Sequence, residues 1–127
     1  MTRIVFDTTI LIDFLRKKLE AKKVLADVEL GKTEGFISSI TEAELFAGQD
    51  VKVERKKQAV QNLITLFEKI LVTNEIAQKA GEFKRKYYVP LDDCVIAATA
   101  AIQNAKLWTK NVEDFKKIRE IEIEEPY

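Results

Sequence analysis

The sequence contains no histidine and a single cysteine, Cys94. Those shortages exclude Ser–His and Cys–His catalytic arrangements, histidine general bases and any Cys/His zinc cage. One cysteine also forbids a disulfide within the chain, which fits a reducing compartment. Glycine is scarce, and Gly31, Gly35, Gly48 and Gly81 form neither GxGxxG nor a P-loop, so nothing supports a nucleotide cradle. An excess of either charge is lacking too, with Lys+Arg and Asp+Glu at 21 each. No global positive field draws the chain to nucleic acid, and local basic patches would have to grip it. The longest nearly uninterrupted apolar stretch, Cys94–Ile102, is about half what a membrane span requires. The opening run Ile4–Phe6 stops at Asp7 and does not read as a signal peptide. The expectation is a soluble, cytoplasmic protein. Its 127 residues, 46% of them apolar, fit one domain over 1–127 with a proper core.

With histidine and cysteine set aside, carboxylates are the remaining candidates for chemistry, and the chain places them pointedly. Ile4–Phe6 reads as a short buried strand, followed by Asp7-Thr8-Thr9 and then Ile10, Leu11, Phe14 and Leu15 at helical spacing. Asp7 therefore stands at a strand's carboxyl end and just before a helix, either as a plain cap or at the edge where open α/β sheets bind ligands. Leu19–Leu30 reads as a helix ended by Gly31, and Gly35–Ser38 as a second strand. Ser39 with Glu42 makes a capping box for the helix that runs to Gly48, which leaves Glu44 on or beside the apolar stripe without a capping role. In the rival frame Thr41 is the cap and Glu44 its box partner. Val51–Glu68 reads as one long amphipathic helix, Ile70–Val72 as a third strand and Glu75–Tyr88 as a helix carrying Lys84-Arg85-Lys86. Tyr87, Tyr88 and that basic run could stack on and neutralise nucleic acid, or be core packing and a solvated face.

Pro90–Ile102 is the centre of the pattern. From Cys94 to Ile102 only Thr99 is polar, so this helix belongs inside the fold, with Asp92 and Asp93 at its mouth. Leu107–Thr109 reads as a fourth strand, Asn111 as the cap of a short helix with Asp114 at the box position, and Ile121–Ile123 as a last strand. The alternation implies an α/β fold, a three-layer α/β/α sandwich on a mainly parallel sheet of four to five strands. Parallel strands joined by right-handed crossovers end at one sheet edge, where the following helices begin. Asp7, Glu44, Asp93 and Asp114 would then converge there from four segments, repelling one another unless a cation sits among them. Oxygen ligands alone favour Mg²⁺ or Mn²⁺, and such a site suits phosphodiester attack.

Four stretches together carry a family likeness: Asp7-Thr8-Thr9-Ile10-Leu11-Ile12-Asp13; Ser39-Ile40-Thr41 through Glu44-Leu45 to Gly48; Asp93-x-x-Ile96-Ala97-Ala98-Thr99-Ala100; and Thr109-x-Asn111-x-x-Asp114-Phe115. In that order they resemble the PIN-domain family, and more narrowly its VapC-type toxins. The resemblance implies a Mg²⁺- or Mn²⁺-dependent endoribonuclease acting on RNA, a homodimer, and inhibition by a small VapB-type antitoxin. It places Asp7, Glu44, Asp93 and Asp114 on the family's acidic positions, Thr8 (or Thr9) and Thr109 on its supporting hydroxyls, and Asn111 on a polar late position. Asp92 departs from the pattern and reads as a cap or a supporting group. A stand-alone RNA-processing nuclease is the alternative. A receiver-like Mg²⁺-binding domain fits less well, because only Asp7 follows the first strand and Leu71-Val72-Thr73-Asn74 carries no acid.

Overall fold

The computed structural model describes residues 2–127. Five strands, β1 (Thr2–Phe6), β2 (Thr33–Ser38), β3 (Glu68–Ile70), β4 (Lys106–Trp108) and β5 (Ile123–Glu124), form one sheet in the order β3-β2-β1-β4-β5. Every pairing is parallel. Helices α1 (Thr8–Leu15), α2 (Leu19–Glu29), α3 (Ser39–Phe46) and α4 (Glu54–Ile64) cover one face, and α5 (Asn74–Tyr87), α6 (Leu91–Gln103) and α7 (Val112–Phe115) the other. This is the expected α/β/α sandwich.

The strand residues divide between the layers by their period of two. Ile4 and Phe6 of β1 pack with Ile10, Leu11, Leu25 and Val60, while Val5 between them packs with Phe83, Ile96 and Phe115. Phe36 and Ile37 of β2 split the same way. A strand buried on both faces reads as a continuous apolar run, as Ile4–Phe6 does. In α6 every residue from Cys94 to Ala100 is buried, and the one hydroxyl among them, on Thr99, donates to the Val95 carbonyl at 2.8 Å.

The strand order fixes where a site can form. The chain runs outward from β1 through β2 to β3, then returns to lay β4 on the other side of β1. Open parallel sheets bind ligands beyond the carboxyl ends of the strands at this reversal. Phe6 pairs with Trp108 across it, and the Asp7 amide donates to the Trp108 carbonyl at 2.9 Å.

Several element boundaries differ from expectation. The third strand is Glu68–Ile70 rather than Ile70–Val72, because its partner β2 ends where Ser38 pairs with Ile70 and the chain turns into α3. Leu71 is left 63% exposed, and the Val72 amide bonds to the Ser39 hydroxyl at 3.2 Å. The long helix Val51–Glu68 is a 3₁₀ turn, Gln49–Lys52, followed by α4. Val53 between them is extended, and the Thr65 hydroxyl closes α4 by donating to the Asn62 carbonyl at 2.6 Å. The last strand falls at Ile123–Glu124, in register with Leu107 and Trp108.

Candidate active site

Asp7 follows β1 at the N-cap position of α1 and is almost fully buried, yet its side chain makes no capping hydrogen bond. Its Oδ2 instead accepts from the Thr109 hydroxyl and from the Thr9 hydroxyl, each at 2.7 Å. Those two threonines are themselves fixed. The Thr109 oxygen accepts from the Asn111 amide at 2.8 Å, and the Thr9 oxygen from the Lys110 amide at 3.1 Å. The β4–α7 connection is thus tied to the β1–α1 connection through one carboxylate. Burial raises the Asp7 pKa, against the hydroxyls and the Thr8 and Thr9 amides, which favour its charge.

Glu44 lies in the middle of α3. Neither capping frame for this helix survives: Ser38 is the cap, its hydroxyl accepting from the Ile40 amide at 3.2 Å, and Thr41 lies inside the helix, fully buried. Glu42 is spent on Lys69, 2.7 Å away. Glu44 instead turns to the sheet edge, where the Thr8 hydroxyl donates to its Oε1 at 2.7 Å. The Thr8 oxygen also sits 3.0 Å from the Thr41 hydroxyl, so a buried pair of threonines backs the carboxylate. Its pKa is pushed up to about 7, chiefly by burial and then by hydrogen bonding to and repulsion from Asp92.

Asp92 and Asp93 open α6, as expected, and Asp92 Oδ1 accepts from the Asp93 amide at 3.0 Å. Asp93 is also pushed up to about 7, first by burial and then by repulsion from Asp92, Asp7, Asp114 and Glu44 in that order. Asn111 stands at the N-cap of α7, but its side-chain NH2 donates to Asp114 Oδ2 at 3.1 Å and caps nothing. The expected roles of Asn111 and Ser39 as caps are therefore corrected.

The carboxylates named from the sequence thus share one edge of the sheet, close enough for Asp93 to feel all the others. Among the described residues, no group of three His, Cys, Asp or Glu side chains is positioned to hold a metal ion as it stands. The donor chemistry nonetheless fits a hard divalent cation, since every candidate ligand is a carboxylate and the cluster's mutual repulsion favours a positive charge among them.

Residues 4–121 match the PIN domain. The chain belongs to the PIN-domain family. It is similar to "Ribonuclease VapC1" of Methanocaldococcus jannaschii, 34% identical over 126 residues that cover 94% of this chain and 83% of that protein. "Ribonuclease VapC19" of Mycobacterium tuberculosis is also 34% identical, over 86% of this chain and 89% of its own length. Among solved structures, a toxin–antitoxin complex from Klebsiella pneumoniae superposes with a TM-score of 0.82 at 31% identity, over 98% of each chain. Within this PIN fold, Thr41 is the site residue that sequence reasoning passed over. Its signal was a hydroxyl four residues before Leu45 on the buried stripe of a helix. The choice between Thr8 and Thr9 also dissolves, since Thr8 serves Glu44 and Thr9 serves Asp7.

Proposed function

We propose that the chain is a Mg²⁺- or Mn²⁺-dependent endoribonuclease, the toxin of a toxin–antitoxin pair. The observation that carries the reading is the acid cluster at the sheet reversal, with Glu44 and Asp93 both pushed up to about 7. Asp7, Glu44, Asp93 and Asp114 would hold the cation. When bound, such an ion lowers the pKa of its water and stabilises negative charge on phosphate oxygens. The chain's own residues set the geometry. Thr9 and Thr109 hold Asp7, Thr8 aims Glu44 with Thr41 behind it, and Asn111 steers Asp114. Asp92 orders the first turn of α6 by accepting from the Asp93 amide.

A groove of about 660 Å³ beside Glu44 suits the proposed antitoxin. Ile12, Leu15, Leu45, Val51 and Val60 line it, and Arg16 and Arg55 rim it. An amphipathic helix with an acidic flank fits that surface. The toxin–antitoxin complex among the similar structures supports this occupant. A homodimer, implied by the family likeness, belongs to the same reading. No helix among the described residues is long and apolar enough to cross a membrane.

The test is cleavage of a mixed RNA pool with Mg²⁺, with Mn²⁺ and with EDTA, beside an identically prepared Asp93→Asn protein. Cleavage should require metal and vanish in the variant while the fold persists. Equal activity per folded molecule in both proteins would reduce Asp93 to a structural role.

A further inference from the structure

Resting on the ribonuclease reading, we infer that Tyr88 is a stacking platform for a base of the RNA strand that enters the acid cluster. Tyr88 is 81% exposed and adopts φ 59° and ψ 33°, a left-handed conformation that bulky residues rarely hold. Lone exposed apolar side chains are ordinary. An aromatic ring set out on a strained backbone that glycine would occupy freely is not, and such strain persists where the surroundings hold it in place.

The surroundings do hold it. The Tyr88 amide donates to the Lys84 carbonyl at 3.0 Å, and Val89 is wholly buried, its carbonyl taking the Cys94 thiol at 3.4 Å. The Pro90 carbonyl accepts from the Cys94 amide at 3.0 Å. The ring is thus carried on a fixed connection rather than a loose loop, so binding would order little that is not ordered already. Four residues of extended chain span at most about 14 Å and five about 18 Å, which bounds the distance from Tyr88 to Asp92 and to Asp93.

Charge favours a nucleic-acid strand over a protein partner here. Lys79 and Lys86 are drawn to Glu120, at 3.6 and 3.3 Å. Lys84 and Arg85, one turn before Tyr88, have no carboxylate partner among the described residues and remain exposed to meet phosphates. Leu91, the residue before Asp92, is also exposed, at 56%. Unpaired cations beside an exposed ring are how single-stranded RNA is gripped without reading its sequence.

The experiment uses the whole chain and a short RNA carrying 2-aminopurine, whose fluorescence falls on stacking. Binding is read in EDTA and cleavage separately in Mn²⁺. Tyr88→Gly removes the ring and relieves the backbone, so its melting temperature should equal or exceed the parent's. It should lose the quenching and about tenfold in kcat/KM, mostly through KM, whereas Tyr88→Phe keeps both. Unchanged quenching and KM in Tyr88→Gly would overturn the proposal. So would a Tyr88→Gly protein whose oligomeric state by light scattering differs from the parent's, since the ring would then be a contact between copies. A parent protein that quenches through Tyr88 but cuts no RNA would sink the nuclease reading and leave the platform standing.

Discussion

Thr8 has a single hydroxyl proton, and it goes to Glu44 Oε1 at 2.7 Å. Its oxygen is then free to accept from Thr41, 3.0 Å away and fully buried. Thr8→Val keeps the shape and removes both interactions, leaving the Thr41 hydroxyl buried without its partner. A loss of about 1–3 kcal/mol in urea melts is expected. Because the Thr8 bond favours the charged form of Glu44, the variant should also titrate Glu44 at higher pH, moving the acid limb of a pH–rate profile upward. A profile that stays in place would separate Glu44 from the activity. The same residue scale shows what the sequence could and could not tell. Asp7, Asp93 and Asp114 were legible because each follows a strand or opens a helix, positions visible in apolar periodicity. Which threonine serves which acid was not legible, since Thr8 and Thr9 are adjacent and only the tertiary approach of Glu44 and Thr109 assigns them.

At the scale of elements, β2 shows how a strand is shaped by what lies across it. Gly35 faces Phe67, and a Cβ there would stand 3.0 Å from Phe67 Cδ1 and 3.1 Å from Val28 Cγ1. Phe67 in turn packs edge-on against Phe6, with ring centroids 5.1 Å apart. Gly35→Ala should therefore cost about 1–3 kcal/mol by overpacking, despite the better strand propensity of alanine. Trimming the obstacle with Phe67→Leu should make the double variant less damaged than the two single losses added together, as measured in a double-mutant cycle. Additive losses would place the strain elsewhere. Gly31 plays the opposite part, with φ +76°, closing α2 as its amide donates to the Val28 carbonyl and the Lys32 amide to the Asp27 carbonyl. That terminator was readable from the sequence. The end of α4 was not, because its apolar stripe continues to Phe67 while the backbone leaves the helix near Thr65.

For the whole molecule, the acid cluster ties stability to pH. Asp93 rises from 3.8 to about 7 and Glu44 from 4.5 to about 7, so both bind a proton more tightly folded than unfolded. Their contribution to stability is complete below the unfolded values and is lost as pH rises through about 7. In EDTA the melting temperature should consequently fall between about pH 5 and about pH 8, and Asp93→Asn should flatten that fall. On the proposed function, Mg²⁺ or Mn²⁺ would bind the ionised cluster, so the metal should raise the melting temperature more at the higher pH. At a hundredfold excess over Kd the gain is about 2.7 kcal/mol. A metal effect that is equal at both pH values would mean that the cation binds elsewhere.

The sequence by itself determined the layers and narrowed the candidate chemistry. Apolar periodicity set strands and helices, the almost wholly apolar Cys94–Ile102 run had to lie inside, and the lack of histidine left carboxylates as the candidates for chemistry. Only the tertiary structure decided the assembly of the site. Strand order β3-β2-β1-β4-β5 puts the reversal beside Asp7, and that order depends on contacts between segments about a hundred residues apart, such as Thr109 with Asp7. Local propensity carries no information about such pairings, because no residue's own backbone preference depends on which distant strand will lie beside it.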